Sequence, residues 1–189
     1  MIKVLIITAC LAFSAAAPER IVPAAFQQKN STLKKESKKD IPQVGIIPNY
    51  GKYEFSFESL EGRKYNLKQF SGKILLINIW APWCEPCKKE TDGLVHIYDN
   101  YHSKGFNIVG IAVQTTLQEV RKFTNAHKVR WPVGINDVIT KQYKPVGIPA
   151  SYLFDAKGNL IKEFVGYADE KALEAVLGEI FRTPRPVKP

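Results

Sequence analysis

The stretch that decides the fold runs from Ile74 to Glu90 and reads ILLINIWAPWCEPCKKE. Its first part, Ile74 to Trp80, is an apolar run of the length of one strand. Such a run, bounded by turn residues, suits a strand buried on both faces. Ala81, Pro82 and Trp83 lead from it to two cysteines, Cys84 and Cys87, with Glu85 and Pro86 between them. Polar, helix-favouring residues follow. The pattern predicts a buried strand handing over to a helix, with Cys84 at the helix N-terminus and Cys87 one turn further in.

The helix is expected over Glu85 to Lys104. Leu94, Ile97, Tyr98 and Tyr101 recur at i, i+3, i+4 and i+7, and Gly105 supplies a stop. On the N-terminal side, YEFSFESLEGRKYNL (Tyr53 to Leu67) alternates apolar and polar residues around Glu61-Gly62 and reads as a hairpin. On the C-terminal side, Phe106 to Val113 is a second buried strand. Thr116 to Glu119 forms a capping box opening a helix with Val120, Phe123 and His127 on one face. A short strand at WPVGI and a short helix over Val138 to Tyr143 come next. Ser151 to Tyr167 reads as a hairpin turning at Asp155 to Asn159. Asp169 can cap a last helix carrying Leu173, Val176, Leu177 and Ile180. Two strands joined by a long helix imply a right-handed parallel crossover, and the closing hairpin makes the sheet mixed. The expected class is α/β, a mixed central sheet with helices on both faces and an added N-terminal β-hairpin.

The chain has 189 residues, 45% hydrophobic and 24% charged, the profile of a globular domain with appendages. Residues 1–17 carry a lysine near the start and an apolar stretch from Val4 to Ala17. That stretch is too short for a membrane span, which needs roughly 20 residues, and fits a signal peptide cleaved among Ser14 to Ala17. Ile7 to Cys10 loosely resembles a lipobox. The apolar stretch before Cys10 is very short, so cleavage past Cys10 is preferred to lipidation there. Residues 18–50 are expected to be a basic flexible linker, residues 51–182 the folded domain, and residues 183–189 a disordered tail. Net charge is +9, and Lys29 to Lys39 holds five lysines against one glutamate. A solvated tail with weak attraction to anionic membranes is the expectation. Aromatics do not interleave with the basic run, so no nucleic-acid partner is expected.

Three uses of the cysteine pair compete. As a staple it would close a four-residue loop, worth roughly 2 kcal/mol against about 3 kcal/mol for a 15-residue loop. As a metal site it lacks two ligands, and His96, His102 and His127 do not form a spaced pair. Redox chemistry fits best. Unpaired N–H groups and the dipole at a helix N-terminus favour a Cys84 thiolate. Cys87, more shielded, can attack a mixed disulfide. Pro86 fits the first turn, where its missing N–H costs little. Glu85 sets a negative charge near Cys84 and partly opposes the thiolate, which favours a more reducing couple.

Trp83-Cys84-Glu85-Pro86-Cys87 between a strand and a helix resembles the thioredoxin superfamily. More narrowly, residues 53–90 are similar to the TlpA/ResA/DsbE-like thiol-disulfide oxidoreductases, and VGIPASYLFDAKGNLIKEFVGY (Val146 to Tyr167) resembles a second segment of that family. The resemblance implies a thioredoxin-like fold, an exported enzyme, and catalysis by Cys84 and Cys87. It implies a cis bond at Pro149, with Ile148 offering its backbone to a bound peptide. It makes Glu90 a modulator of thiol ionisation, and Trp83, Glu85 and Pro86 part of the surface that meets the substrate. No cofactor and no metal are implied. The implied partners are client proteins with cysteine pairs, such as apocytochrome c or the cysteines of oxidase copper sites, and a membrane electron-donor reductase. A monomer in the bacterial periplasm or extracytoplasmic space is expected. A disulfide oxidant or isomerase, and more remotely a metal-delivery module, are the alternatives. The chain departs from the family at Asp92, where many members have a proline that kinks the helix, and at Ala150, where a threonine is common. Asn78 stands where thioredoxins themselves carry a buried aspartate.

Overall fold

The computed structural model describes residues 49–182. The expected signal peptide, Cys10, nearly all of the linker and the C-terminal tail lie outside the described residues. A two-stranded hairpin, β1 (Ser56–Glu58) and β2 (Lys64–Asn66), precedes the sheet. Then follow β3 (Ile74–Trp80), α1 (Glu85–Tyr101), β4 (Phe106–Ala112), α2 (Leu117–Ala126), β5 (Val133–Ile135), α3 (Ile139–Tyr143), β6 (Ala150–Phe154), β7 (Leu160–Val165) and α4 (Glu170–Arg182). The sheet order is β5-β4-β3-β6-β7. β3 runs parallel to β4 and antiparallel to β6, and β7 is antiparallel to β6.

All seven residues of β3 are buried, because the strand is flanked by β4 and β6 and covered on both faces. Alternation then divides the core. Ile74, Leu76 and Trp80 face one cluster with Leu94 and Ile97 of α1, Val120 and Phe123 of α2, and Leu173 and Leu177 of α4. Leu75, Ile77 and Ile79 face the other, with Phe55 and Phe57 of the hairpin segment, Phe70, and Ile139 and Tyr143 of α3. The steps β3 to β4 and β4 to β5 move the same way across the sheet. Two crossovers of one hand then place α1 and α2 on the same face. Among the described residues, the opposite face carries only the short α3 as regular α-helix, together with the hairpin. Burial of each Leu or Ile here is worth about 1.5–3 kcal/mol.

Local sequence fixes the ends of the elements. Thr116 Oγ1 accepts the Glu119 N–H, and the Glu119 carboxylate accepts the Thr116 N–H, closing the expected capping box. α1 ends at Tyr101 and tightens into a 3-10 turn, His102–Lys104, before Gly105 adopts φ 100°. Gly134 of β5 lies where the hairpin crosses the sheet edge. A Cβ there would sit 2.6 Å from Phe57 Cδ2 and 2.7 Å from the Glu58 carbonyl oxygen. Two residues expected in the linker, Asn49 and Tyr50, pack on the fold. The Asn49 N–H donates to the Lys157 carbonyl, and Tyr50 is buried edge-on against Phe154. An aromatic residue amid Pro, Gly and Asn gives no periodic signal, so only the partner across the sheet reveals it.

Candidate active site

The buried strand β3 ends at Trp80 and delivers the chain to Cys84, the N-cap of α1. Cys84 and Cys87 are joined by a disulfide. The Cys87 N–H points at Cys84 Sγ, 3.3 Å away, so a backbone dipole at the helix start is aimed at the first sulfur. Cys87 is fully buried, as expected for the inner sulfur. Cys84, expected to be the less shielded of the two, is itself largely covered and retains 5% of its surface. The disulfide covers one side of its sulfur, and the Ile148 carbonyl oxygen lies 3.8 Å away. Cys84 thus keeps a narrow opening to solvent where Cys87 has none.

The Ile148–Pro149 bond is cis. It turns the chain into β6 with Ile148 against the first cysteine and Pro149 buried. The Pro149 carbonyl accepts from the Gly166 N–H at 3.0 Å, which ties this loop to the end of β7. Glu85 and Pro86 are exposed on the first turn of α1. The Glu85 carboxylate pairs with Lys88 Nζ at 2.7 Å. That pair offsets the charge expected to oppose a Cys84 thiolate. Trp83 is 55% exposed, with its indole N–H donated to the Gln114 carbonyl at 2.9 Å. Trp80 is buried and packs on Phe123.

Glu90 is buried one turn beyond Cys87. One carboxylate oxygen accepts the Ala168 N–H at 3.0 Å, and the other accepts Asn78 Nδ2 at 2.9 Å. Asn78 Nδ2 also donates to Ser151 Oγ at 2.9 Å. Burial pushes the Glu90 carboxyl up from 4.5 to about 7, against the downward pull of Ala168, Asn78 and Ser151. Three neutral donors do not replace the water that the charge has lost. A carboxyl poised near neutrality can hold or release a proton at the inner end of the site. Asp92, which replaces the family proline, accepts His127 Nδ1 at 2.7 Å. α1 runs unbroken through it.

The structure therefore brings together Trp83, Cys84, Glu85, Pro86, Cys87, Ile148 and Pro149 at one end of the sheet, with Glu90 beneath. His127 is occupied with Asp92, His96 lies 3.4 Å from Glu170, and His102 Nδ1 lies 3.2 Å from the Phe106 carbonyl. Among the described residues, no group of three or more His, Cys, Asp or Glu is arranged to hold a metal ion. Sequence reasoning missed Ser151, the Ala168 N–H and Gln114. Ser151 lies two residues past the cis-proline, a usable signal of proximity. A backbone N–H and a backbone carbonyl carry no sequence signal.

A strand-to-helix dithiol under a cis-proline, in this sheet order, defines a thiol-disulfide oxidoreductase of thioredoxin fold. The comparisons agree. The Redoxin family model matches residues 34–177, and the chain belongs to that family. It is 34% identical over 128 residues to the thiol-disulfide oxidoreductase ResA of Bacillus thuringiensis subsp. konkukian, covering 67% of this chain and 74% of the relative. ResA of Bacillus subtilis is 28% identical over 138 residues, covering 72% and 74%. A crystal structure of a thioredoxin-family thiol:disulfide interchange protein from Chlorobium tepidum TLS superposes with a TM-score of 0.63. It is 26% identical and covers 68% of this chain and 93% of its own. StoA of Bacillus subtilis gives a TM-score of 0.57 at 25% identity, covering 67% and 97%.

Proposed function

We propose that this enzyme is an exported reductant of disulfides in client proteins, working through Cys84 and Cys87. The reduced enzyme presents Cys84 as a thiolate at the helix N-terminus. It attacks one sulfur of a client disulfide, forms a mixed disulfide, and releases the other client sulfur as a thiolate that takes up a proton. Cys87 then loses its proton and attacks Cys84 Sγ. The client leaves as a dithiol, and the Cys84–Cys87 bond closes with two electrons transferred. A membrane reductase of the same dithiol chemistry resets the pair. In this reading Glu90, one helical turn past Cys87 and titrating near neutrality, exchanges the Cys87 proton. The single observation that carries this reading is the asymmetry of the pair: Cys84 keeps 5% of its surface beside the Ile148 carbonyl, and Cys87 keeps none.

The client-facing surface is formed by Trp83, Glu85 and Pro86 on one side of the sulfur and by Ile148 and Pro149 on the other. Exposed Val146 leads into the cis-proline loop, and exposed Val165 is paired with Ala150 just after it. An extended client segment can add its backbone along Ile148. Suitable clients display a cysteine pair in an unfolded or flexible segment, as apocytochrome c or an apo copper site does. Export to an extracytoplasmic compartment is supported by the signal-like residues 1–17. The basic run at Lys29 to Lys39 would add a weak contact with anionic membranes.

Cys87→Ser removes the resolving sulfur, so Cys84 should accumulate as a mixed disulfide with its clients. Mass spectrometry of the trapped species names them, and a variant that traps no cysteine-linked partner overturns the attack order. The direction of electron flow is read from the reduction potential. A value more negative than about −200 mV supports a reductant, and one near about −120 mV, the range of strong disulfide oxidants, overturns it.

A further inference from the structure

The geometry points to Asp137 as a positioning residue that sets the client-binding face of Trp83, acting through Gln114. Trp83 is 55% exposed, yet its indole N–H is bound to the Gln114 carbonyl at 2.9 Å. Gln114 lies in the loop between β4 and α2 and adopts φ 51°, the left-handed region that side chains other than glycine rarely enter. Its N–H donates to Asp137 Oδ1 at 2.6 Å. A short bond to a carboxylate is among the stronger hydrogen bonds, and it supplies what the unfavourable backbone conformation lacks.

Asp137 is itself held in place. The Asn136 N–H donates to the Ala112 carbonyl at 3.1 Å, and the Asp137 carbonyl accepts Thr140 Oγ1 at 2.8 Å. The chain of support runs from the β5–α3 loop, through the β4–α2 loop, to an aromatic ring adjacent in sequence to the reactive cysteine. An indole tied by its N–H and exposed over half its surface offers a fixed apolar face. A client segment that packs on a preset ring does not have to order it first. This inference rests on the client-reduction reading and adds that substrate affinity is set partly from Asp137, 53 positions along the chain from Cys84.

The test compares wild type, Asp137→Ala, Asp137→Asn and Gln114→Val, with insulin as the protein disulfide and dithiothreitol as electron source. Asp137→Ala should raise KM for insulin about threefold to tenfold, the effect of one lost hydrogen bond, with kcat changed less than twofold. Asp137→Asn keeps an acceptor at Oδ1 and should restore most of the affinity. Gln114→Val puts a branched side chain at a positive φ and should reproduce the alanine effect. Acrylamide quenching supplies a separate readout, because Trp80 and Trp131 are buried and Trp83 is exposed. Quenching should rise in Asp137→Ala and fall back in Asp137→Asn. Unchanged KM and quenching in Asp137→Ala, or an asparagine variant as impaired as the alanine one, overturns the inference. Wild type that reduces neither insulin nor the partners trapped by Cys87→Ser overturns the client reading itself, and the quenching arm still decides whether Asp137 anchors the ring.

Discussion

Replacing Glu90 by glutamine tests the electrostatics of the buried end of the site. The carboxyl is raised from 4.5 to about 7, with burial as the largest cause. Below about pH 4.5 it is protonated in both folded and unfolded chains and contributes nothing pH-dependent. Between about pH 4.5 and 7 the unfolded chain releases the proton and the folded chain keeps it, so stability falls as pH rises. Above about pH 7 the folded form ionises too, and the loss levels off. A rise from 4.5 to about 7 corresponds to about 3 kcal/mol at 1.36 kcal/mol per pH unit. Glutamine cannot titrate. Whichever way its amide is turned, the NH2 meets either Asn78 Nδ2 or the Ala168 N–H donor to donor, a penalty that does not vary with pH. The stability difference between Glu90→Gln and wild type should therefore shift by about 3 kcal/mol in favour of the variant between pH 4 and pH 8. Urea unfolding of the disulfide form at pH steps across this range measures it. A difference flat to within about 0.5 kcal/mol would refute the claim that burial outweighs the three donors around Glu90.

Two further substitutions test the frame around the site. Gly134→Ala drives a methyl into Phe57 and the Glu58 carbonyl, and overpacking of this kind costs about 2 kcal/mol. Thermal unfolding should show Tm lowered by about 5 °C, and an unchanged Tm would mean the hairpin does not cap β5 as closely as described. Tyr143→Phe removes the donor to the Tyr53 carbonyl, a 2.6 Å bond, and should cost about 1 kcal/mol. Gln142 also holds the carbonyls of Lys52 and Glu54, so limited proteolysis at Lys52 should speed up when Tyr143 is replaced. Cleavage at the wild-type rate would show that α3 does not clamp this segment.

The local parts of the molecule were legible because their signals span only a few residues. The apolar run at Ile74 to Trp80 became β3 at those bounds, and the cysteine pair fell at the N-terminus of α1. The Thr116–Glu119 capping box closed as written, and the Asp155–Asn159 turn joins β6 to β7. The cis bond at Ile148–Pro149 came from the family resemblance, since the residue itself reads equally as an ordinary turn proline. Exposure was less legible. Cys84 proved largely covered, because its cover includes a carbonyl 64 residues away.

The sequence by itself determined the order of strands and helices, the chemistry of a dithiol at a helix N-terminus, and the candidate acid one turn beyond it. Each of these depends on residue type and on spacing within a turn or a strand. Only the tertiary structure decided what surrounds that acid. Asn78 meets Ser151 because β3 and β6 pair in that register, and a slip of one residue would turn Ser151 to the other face. The Ala168 N–H reaches Glu90 across 78 positions, and the Gln114 carbonyl reaches Trp83 across 31. Backbone groups are the same at every residue, so their place in the site is set by where the sheet brings the chain.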